Sequence, residues 1–293
     1  MRILLDSHDL INLVHHNQPI TIEEFKEYLL KGGHENVLSF TNIRELVSPL
    51  VSGSPYSQIR AWLTSLEKLP HTYIKEVPII AMEINAAIDA FKNGKEYQNP
   101  NMYVDKWDQT LSLPPGIPAS ALDDQRKVPL HVIIWWMFRV NPQVFAPPSQ
   151  HLSTLKKLTQ LNRDRLLIQK SSPEELFRNS VMNHAQTGKI DIPKNQEDNF
   201  LSWVYGDPNR CPGLRLGHEV YRALIENKTD IPETADFSDL AHVHAIPYVD
   251  LATLDRRMQH YCTVASLKIC KGGSSINYSN RITKDLRTLM KNN

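Results

Sequence analysis

The chain has 293 residues, 41% of them hydrophobic and 22% charged, with a formal net charge of +1. This is the profile of an ordinary globular protein, long enough for one large domain or two. It excludes a globally basic nucleic-acid binder, so any such partner would need a local basic patch.

Cys211, Cys262 and Cys270 show no CxxC spacing. They read as the reduced thiols of a cytoplasmic protein, not as a disulfide frame or zinc site. No stretch approaches the roughly 20 apolar residues of a membrane span. The strongest candidate, His131 to Phe138, reads as a buried helix. Met1 leads straight into a strand, so no signal peptide is expected.

Arg2-Ile3-Leu4-Leu5 is too short for a helix and suits a buried strand. Asp6 follows at its carboxyl end, then Ser7, with helical patterning from Asp9 to His16. Ligands of open α/β sheets sit outside the carboxyl ends of strands, which makes Asp6 a candidate metal ligand or catalytic group. The plainer alternative is that Asp6 or Ser7 caps the following helix. Thr21 caps a second helix, with Glu23 and Glu24 in its first turn and Gly32-Gly33 closing it. Asn36 to Phe40 reads as a second strand. Thr41 or Asn42 then opens a helix that stops at Ser48-Pro49. Glu45 therefore stands one turn inside a helix that starts at a strand's carboxyl end. A helix over Gln58 to Lys68, a strand at Tyr73 to Lys75 and a helix over Pro78 to Phe91 follow.

From about Asn93 to Lys127 the chain is rich in Asn, Pro and Gly and reads as a long irregular connection. Val128 to Glu226 is expected to be wholly helical, over Leu130 to Arg139, Ser149 to Gln169, Pro173 to Gln186 and Leu216 to Glu226. The α/β pattern then returns. Asp236-Phe237-Ser238-Asp239 leads into a helix that Pro247 ends, Tyr248 to Thr253 reads as a strand, and Asp255 falls just past its carboxyl end. Ile276-Asn277-Tyr278 reads as a last strand before a helix from Thr283 to Met290. The expected division is an α/β core over 1–92 and 233–293, with a loop and helical insertion over 93–232.

Three strand ends thus carry Asp6, Glu45 and Asp255, and a helix start adds Asp236 and Asp239. In a parallel sheet such ends meet at one edge. Several ionised carboxylates gathered there call for a cation, and the hard ions Mg²⁺ and Mn²⁺ prefer oxygen ligands. Metals held by carboxylates suit phosphoryl chemistry.

In this order, strand–Asp6, Ser39-x-x-Asn42-x-x-Glu45-Leu46, Asp236-x-x-Asp239-Leu240-x-His242 and Pro247-Tyr248-Val249-Asp250 with Asp255, the chain resembles the PIN-domain (PilT N-terminal domain) ribonucleases, in particular bacterial PIN-like proteins with long helical insertions. The resemblance covers about residues 1–92 and 233–293. It implies a three-layer α/β/α fold with a central parallel sheet, one or two Mg²⁺ or Mn²⁺ ions, and cleavage of RNA. It makes Asp6 the first acid, Glu45 the second and Asp255 the fourth. The third is Asp239, which fits Asp-Leu-x-His, or Asp236, which stands at the more usual distance. Ser7, Asn42, His242 and Thr253 are polar neighbours expected behind the acids.

Asp250 shares a strand face with Ala252 and Leu254 and is expected to point away from the metal edge. Arg44, Arg256 and Arg257 stand either to meet a phosphate or to lie on a solvated helix face. The same two readings apply to Lys156, Lys157, Arg163 and Arg165. Trp135-Trp136 reads as core or as a partner surface. A second class of function is a catalytically silent PIN-like module that binds RNA or protein through its insertion. A phosphatase-like use of Asp6 is disfavoured, because Asp6-Ser7-His8 lacks the second acid two residues on. No antitoxin-like segment is visible, so a protein inhibitor of a toxin-like nuclease would be a separate chain. A homo-oligomer stays open.

Overall fold

Alternating side chains of a few very short strands organise the molecule. The computed structural model describes residues 1–15, 19–75, 79–104, 129–145, 152–167, 171–230, 233 and 235–292. Its strands are β1 (Arg2–Leu4), β2 (Glu35–Leu38), β3 (His71–Ile74), β4 (Tyr103–Val104), β5 (Leu251–Thr253) and β6 (Ile282–Thr283). They form one six-stranded sheet in the order β4-β3-β2-β1-β5-β6. All neighbours are parallel except β3 and β4. The sheet is therefore mixed, not purely parallel as expected. β4 lies in the Asn- and Pro-rich connection and is too short to show any periodicity; its pairing of Tyr103 with Ile74 and Val104 with Tyr73 makes it a strand.

The helices of the first half are α1 (Ser7–Val14), α2 (Ile22–Gly32), α3 (Phe40–Val47), α4 (Tyr56–Leu66) and α5 (Ile79–Lys92). Then come α6 (Leu130–Val140), α7 (Leu152–Leu167), α8 (Pro173–Thr187), α9 (Glu197–Gly206) and α10 (Pro212–Glu226). The last three are α11 (Ala235–Ala245), α12 (Arg256–Lys271) and α13 (Leu286–Asn292). Among the described residues no helix is long and apolar enough to cross a membrane.

Strand side chains alternate between faces. Ile3, Leu5, Leu38 and Tyr73 enter a hydrophobic cluster with α1 to α4, α6 and α13. Leu4, Val37, Ile74 and Ala252 enter a second cluster with α5 and α8 to α12. The segment expected to be an insertion thus supplies core residues to both clusters and a strand to the sheet.

The lock between α5 and α10 shows why. Cys211, the residue before α10, has a left-handed backbone (φ 52°, ψ 58°) and makes no capping hydrogen bond with its side chain. The free N–H groups of a helix's first turn need partners. Glu83, fully buried on α5, provides them: its carboxylate accepts from the Gly213 N–H at 2.6 Å and the Leu214 N–H at 2.8 Å, and from the Tyr248 hydroxyl. Only glycine fits at 213, since a Cβ there would stand 2.6 Å from the His244 carbonyl oxygen. At the other end of α10, the Arg163 guanidinium donates to the Ile225 carbonyl at 3.1 Å and the Asn227 carbonyl at 2.8 Å.

Several expectations need correction. Ile276 to Tyr278 is no strand: Asn277 caps a 3-10 turn over Tyr278–Arg281, accepting from the Ser279 N–H at 3.1 Å, and the strand comes after it at β6. Pro247 sits in another 3-10 turn, Ile246–Tyr248, so the strand before Asp255 starts only at Leu251. The C-terminal helix begins at Leu286, with Asp285 accepting from the Thr288 N–H at 2.7 Å. α9 was hidden because its polar first turn shows no clear apolar stripe. The helix around His131 to Phe138 is amphipathic, not buried: Ile134 and Met137 are inside, whereas Trp135 and Trp136 are 36% and 37% exposed. His16, Pro78, residues 105–128, Ser149 and Gln169 lie outside the described residues.

Candidate functional site

The strand order reverses at β1: the chain moves from β1 outward through β2 to β3, then returns to place β5 on the other side of β1. Where connections leave two neighbouring parallel strands in opposite directions, a crevice opens outside their carboxyl ends. Asp6 follows β1 there, and Asp255 follows β5 two residues after Thr253. Glu45 is one turn into α3, which begins beyond β2, the other neighbour of β1.

Asp6 occupies the N-cap position of α1, yet its side chain makes no capping hydrogen bond. The His8 backbone N–H, in the first turn of α1, favours its ionised form as the smallest of five influences. Capping therefore accounts for only part of the surroundings of Asp6. Its position is fixed through the backbone, because the Asp6 N–H donates to the Thr253 hydroxyl at 2.7 Å. That hydroxyl in turn donates to Asp9, a buried acid one turn further along α1. Thr253 thus ties the ends of β1 and β5 together. Asp255 does act as a cap: it accepts from the Met258 N–H at 2.6 Å at the start of α12 and is exposed.

Behind the acids lies a buried polar chain. Ser39 and Asn42 form a reciprocal capping box at the start of α3, which makes Ser39, not Thr41 or Asn42, the cap. The Asn42 amide then donates to the Leu5 carbonyl at 3.0 Å and to the Ser7 hydroxyl at 3.2 Å. Ser7 Oγ lies 3.2 Å from His242 Nε2 on α11. Ser7, Asn42 and His242 are all buried, so this chain joins the start of α1, α3 and α11 and presents almost none of its groups to solvent.

The acids feel one another. Burial pushes the Asp6 carboxyl above its usual range; the charge of His242 opposes this, while Glu45 and Asp255 add to it. Asp239, on α11, is raised to about 8, first by burial and then by Asp6, with Asp255 and Glu45 adding to it against His242. Asp9 is raised by burial and by Asp6, against the Thr253 hydrogen bond. Asp6, Glu45, Asp239 and Asp255 therefore share one electrostatic neighbourhood. Even so, among the described residues no three His, Cys, Asp or Glu side chains form a ready metal-ligand group.

Asp236 does not belong to that neighbourhood. It is fully buried and held by Arg257, which also pairs with Asp230 at 2.9 Å. Its carboxyl is raised by burial against the Glu233 N–H and Arg257, and the other acid acting on it is Asp230. Arg257 is thereby committed to a structural network and not presented to a phosphate. Asp250 lies at the amino end of β5, accepting from the Arg2 N–H at 2.7 Å, on the opposite edge of the sheet from Asp6. Arg256 is exposed beside Asp255, and Arg44 lies over the Phe40 ring at 6.0 Å. Of the α7 cations, Arg163 caps α10, Lys156 and Lys157 are exposed, and the side chain of Arg165 lies outside the described residues.

Asp9 emerges only in the structure. In the sequence it looks like an acid in a helix's first turn, and the one signal was its position three residues after Asp6, on the same helical face. No protein-family model matches the chain, and no curated protein or solved structure matches it significantly. The likeness to PIN-domain nucleases therefore rests on the residues quoted above.

Proposed function

We propose that the protein is a metal-dependent endoribonuclease whose site is the acid-lined crevice beyond β1 and β5, in a three-layer α/β/α arrangement of the PIN type. The observation that carries this reading is the placement of Asp6 and Asp255 at neighbouring strand ends where the strand order reverses, with Glu45 one turn into α3, near enough that Glu45 and Asp255 help to raise both Asp6 and Asp239. A scaffold gains nothing from carboxylates that raise one another's energy.

The donor set fits a hard divalent ion: it is all oxygen, and it is destabilised as it stands, which a cation would relieve. Asp6, Asp239, Glu45 and Asp255 would hold Mg²⁺ or Mn²⁺, with one oxygen of Asp255 already engaged as a helix cap. Such an ion supplies an activated water and neutralises charge at the leaving oxygen of a phosphodiester. The chain's own residues do the rest. Thr253 fixes the backbone of Asp6, and the Asn42–Ser7–His242 chain holds α11, and hence Asp239, against the strand ends. With Asp239 raised to about 8, that carboxyl favours its protonated form near neutral pH and would give up the proton if a cation were bound.

The silent-module reading draws on one observation, the lack of a ready three-residue ligand group among the described residues. Calorimetry with Mn²⁺ and a cleavage assay on RNA separate the two. The nuclease reading expects Mn²⁺ binding with proton release, and RNA cleavage that EDTA abolishes. Absence of Mn²⁺ binding at millimolar concentration would sink it and favour the module.

A further inference from the structure

Away from the acid crevice, helices α7, α8, α10 and α11 enclose a cavity of about 420 Å³. Pockets of roughly 300–1,000 Å³ are the size that takes a drug-sized ligand. Its interior is made apolar by Leu176, Leu214, Ile225 and Leu240. We propose that this cavity binds one uncharged, largely apolar small molecule that carries a hydrogen-bonding group.

The wall chemistry defines that class. Arg222 is the cation among the lining residues, and it is already matched by Glu219 and Glu226, each at 3.2 Å. Burial lowers the ionisation of His184 and takes His218 down to about 3, with Arg215 and Arg222 adding to the effect at His218. Both imidazoles are neutral at physiological pH, so neither calls for a charged ligand. Nor do the histidines form a metal set: the His184 and His244 rings are 6.5 Å apart, and among the described residues no group of three ligands is present.

A polar end on the ligand has places to go. At the exposed mouth, Asn179 and Asn183 stand one turn apart on α8 and add amide donors and acceptors. The back wall exists because residue 217 is glycine: a Cβ there would meet His244 Nε2 at 2.1 Å. Leu240, Ala241 and His244 of α11 line the cavity, while Asp239 on the same helix lies within the electrostatic reach of Asp6.

The test uses the full chain and a pair of fluorescent probes that differ by one charge. N-phenyl-1-naphthylamine is uncharged and bears a single N–H; 1-anilinonaphthalene-8-sulfonate is the same skeleton with a sulfonate. We expect saturable one-to-one binding of the neutral probe, at least tenfold tighter than the sulfonate. Filling the cavity with Ala241→Phe should weaken it at least tenfold, as should Ser180→Phe, which approaches from α8 if the first variant fails to fold. Each variant is accepted only with a wild-type circular dichroism spectrum and a cooperative melt. A Trp135→Ala/Trp136→Ala variant should bind as wild type, since those rings lie exposed on α6. Equal binding of both probes, no saturable binding, indifference to both filling substitutions, or loss in the tryptophan variant would each overturn the proposal.

Discussion

Glu83 and Asp239 both ionise far above the usual carboxylate range, at about 7 and about 8, and burial is the largest cause at each. What surrounds them differs. Glu83 receives two backbone N–H groups and a tyrosine hydroxyl, all of which favour its charged form. Among the described residues no such set acts on Asp239; after burial its shift is driven mainly by Asp6, with Asp255 and Glu45 adding to it. The first is a helix cap supplied from a neighbouring helix. The second is a charge conflict, opposed by His242. A raised carboxyl is therefore no sign of function by itself: its cause separates a structural acid from a candidate ligand.

The largest effect should come from breaking the satisfied region. Glu83→Ala strands the Gly213 and Leu214 N–H groups and the Tyr248 hydroxyl inside the core. At about 1–3 kcal/mol for each unsatisfied buried group, with partial relaxation, the loss should be roughly 3–5 kcal/mol. Urea unfolding measures it, and a loss below about 1 kcal/mol would mean that α10 does not depend on this cap. Mn²⁺ affinity of the folded fraction should stay at the wild-type value.

Asp236 extends the contrast to the acid that sequence could not separate from Asp239. Asp236→Ala removes a fully buried partner of Arg257, but Asp230 keeps part of the charge matched. We expect a loss of roughly 1–3 kcal/mol with unchanged Mn²⁺ binding. A fold-neutral variant that loses Mn²⁺ binding would exchange the roles assigned to Asp236 and Asp239.

The pH dependence of stability should show both regions at once. Each group binds its proton more tightly in the folded chain than in the unfolded one. Its stabilising contribution is complete below the unfolded pKa and is lost as pH rises through the folded one. For Glu83 that window runs from 4.5 to about 7, and for Asp239 from 3.8 to about 8. Metal-free protein should therefore lose stability from pH 4 to 8, on the order of a few kcal/mol in all. Glu83→Gln should make the fall shallower between pH 4.5 and about 7. Asp239→Asn, or saturating Mn²⁺, should make it shallower throughout and abolish it above about pH 7. Thermal melts across pH check this, and a flat profile in wild type would contradict both assignments.

How much of this was legible in the sequence follows from the range of each interaction. The Thr21 cap, the strand read over Arg2 to Leu5 and the helix ended at Pro49 were visible because caps, apolar runs and proline act within a few residues. The acids at Asp6, Glu45 and Asp255 could be placed at strand ends for the same reason. β4 was not visible, since two residues have no period and the partner strand lies nearly thirty residues earlier. Nor could Glu83 be recognised: in sequence it is one polar residue in the apolar α5, and its partners come 130 and 131 residues later. The choice between Asp236 and Asp239 was undecidable for the same reason, because it turns on whether Arg257 lies within reach of one of them.

The smallest effect on stability, and the sharpest contrast with Glu83, is expected at Asp6. Asparagine keeps the shape of the side chain and one acceptor oxygen but removes the charge. It also caps a helix about as well as aspartate does, and the Thr253 contact uses the Asp6 backbone N–H, which the substitution leaves in place. Removing one charge relieves Asp239, for which Asp6 is the largest cause after burial. In EDTA, Asp6→Asn should therefore melt at or slightly above the wild-type temperature, with a gain of at most about 1 kcal/mol. The apparent pKa of Asp239, followed by carboxyl NMR, should fall. Mn²⁺ binding and RNA cleavage should drop steeply in the same protein. A pure helix cap predicts little change in any of these. A mutant that binds Mn²⁺ and cleaves at the wild-type rate would remove Asp6 from the site, and with it the crevice's claim to be one; a mutant that melts several degrees lower would show that the Asp6 carboxylate stabilises the fold, as Glu83 does.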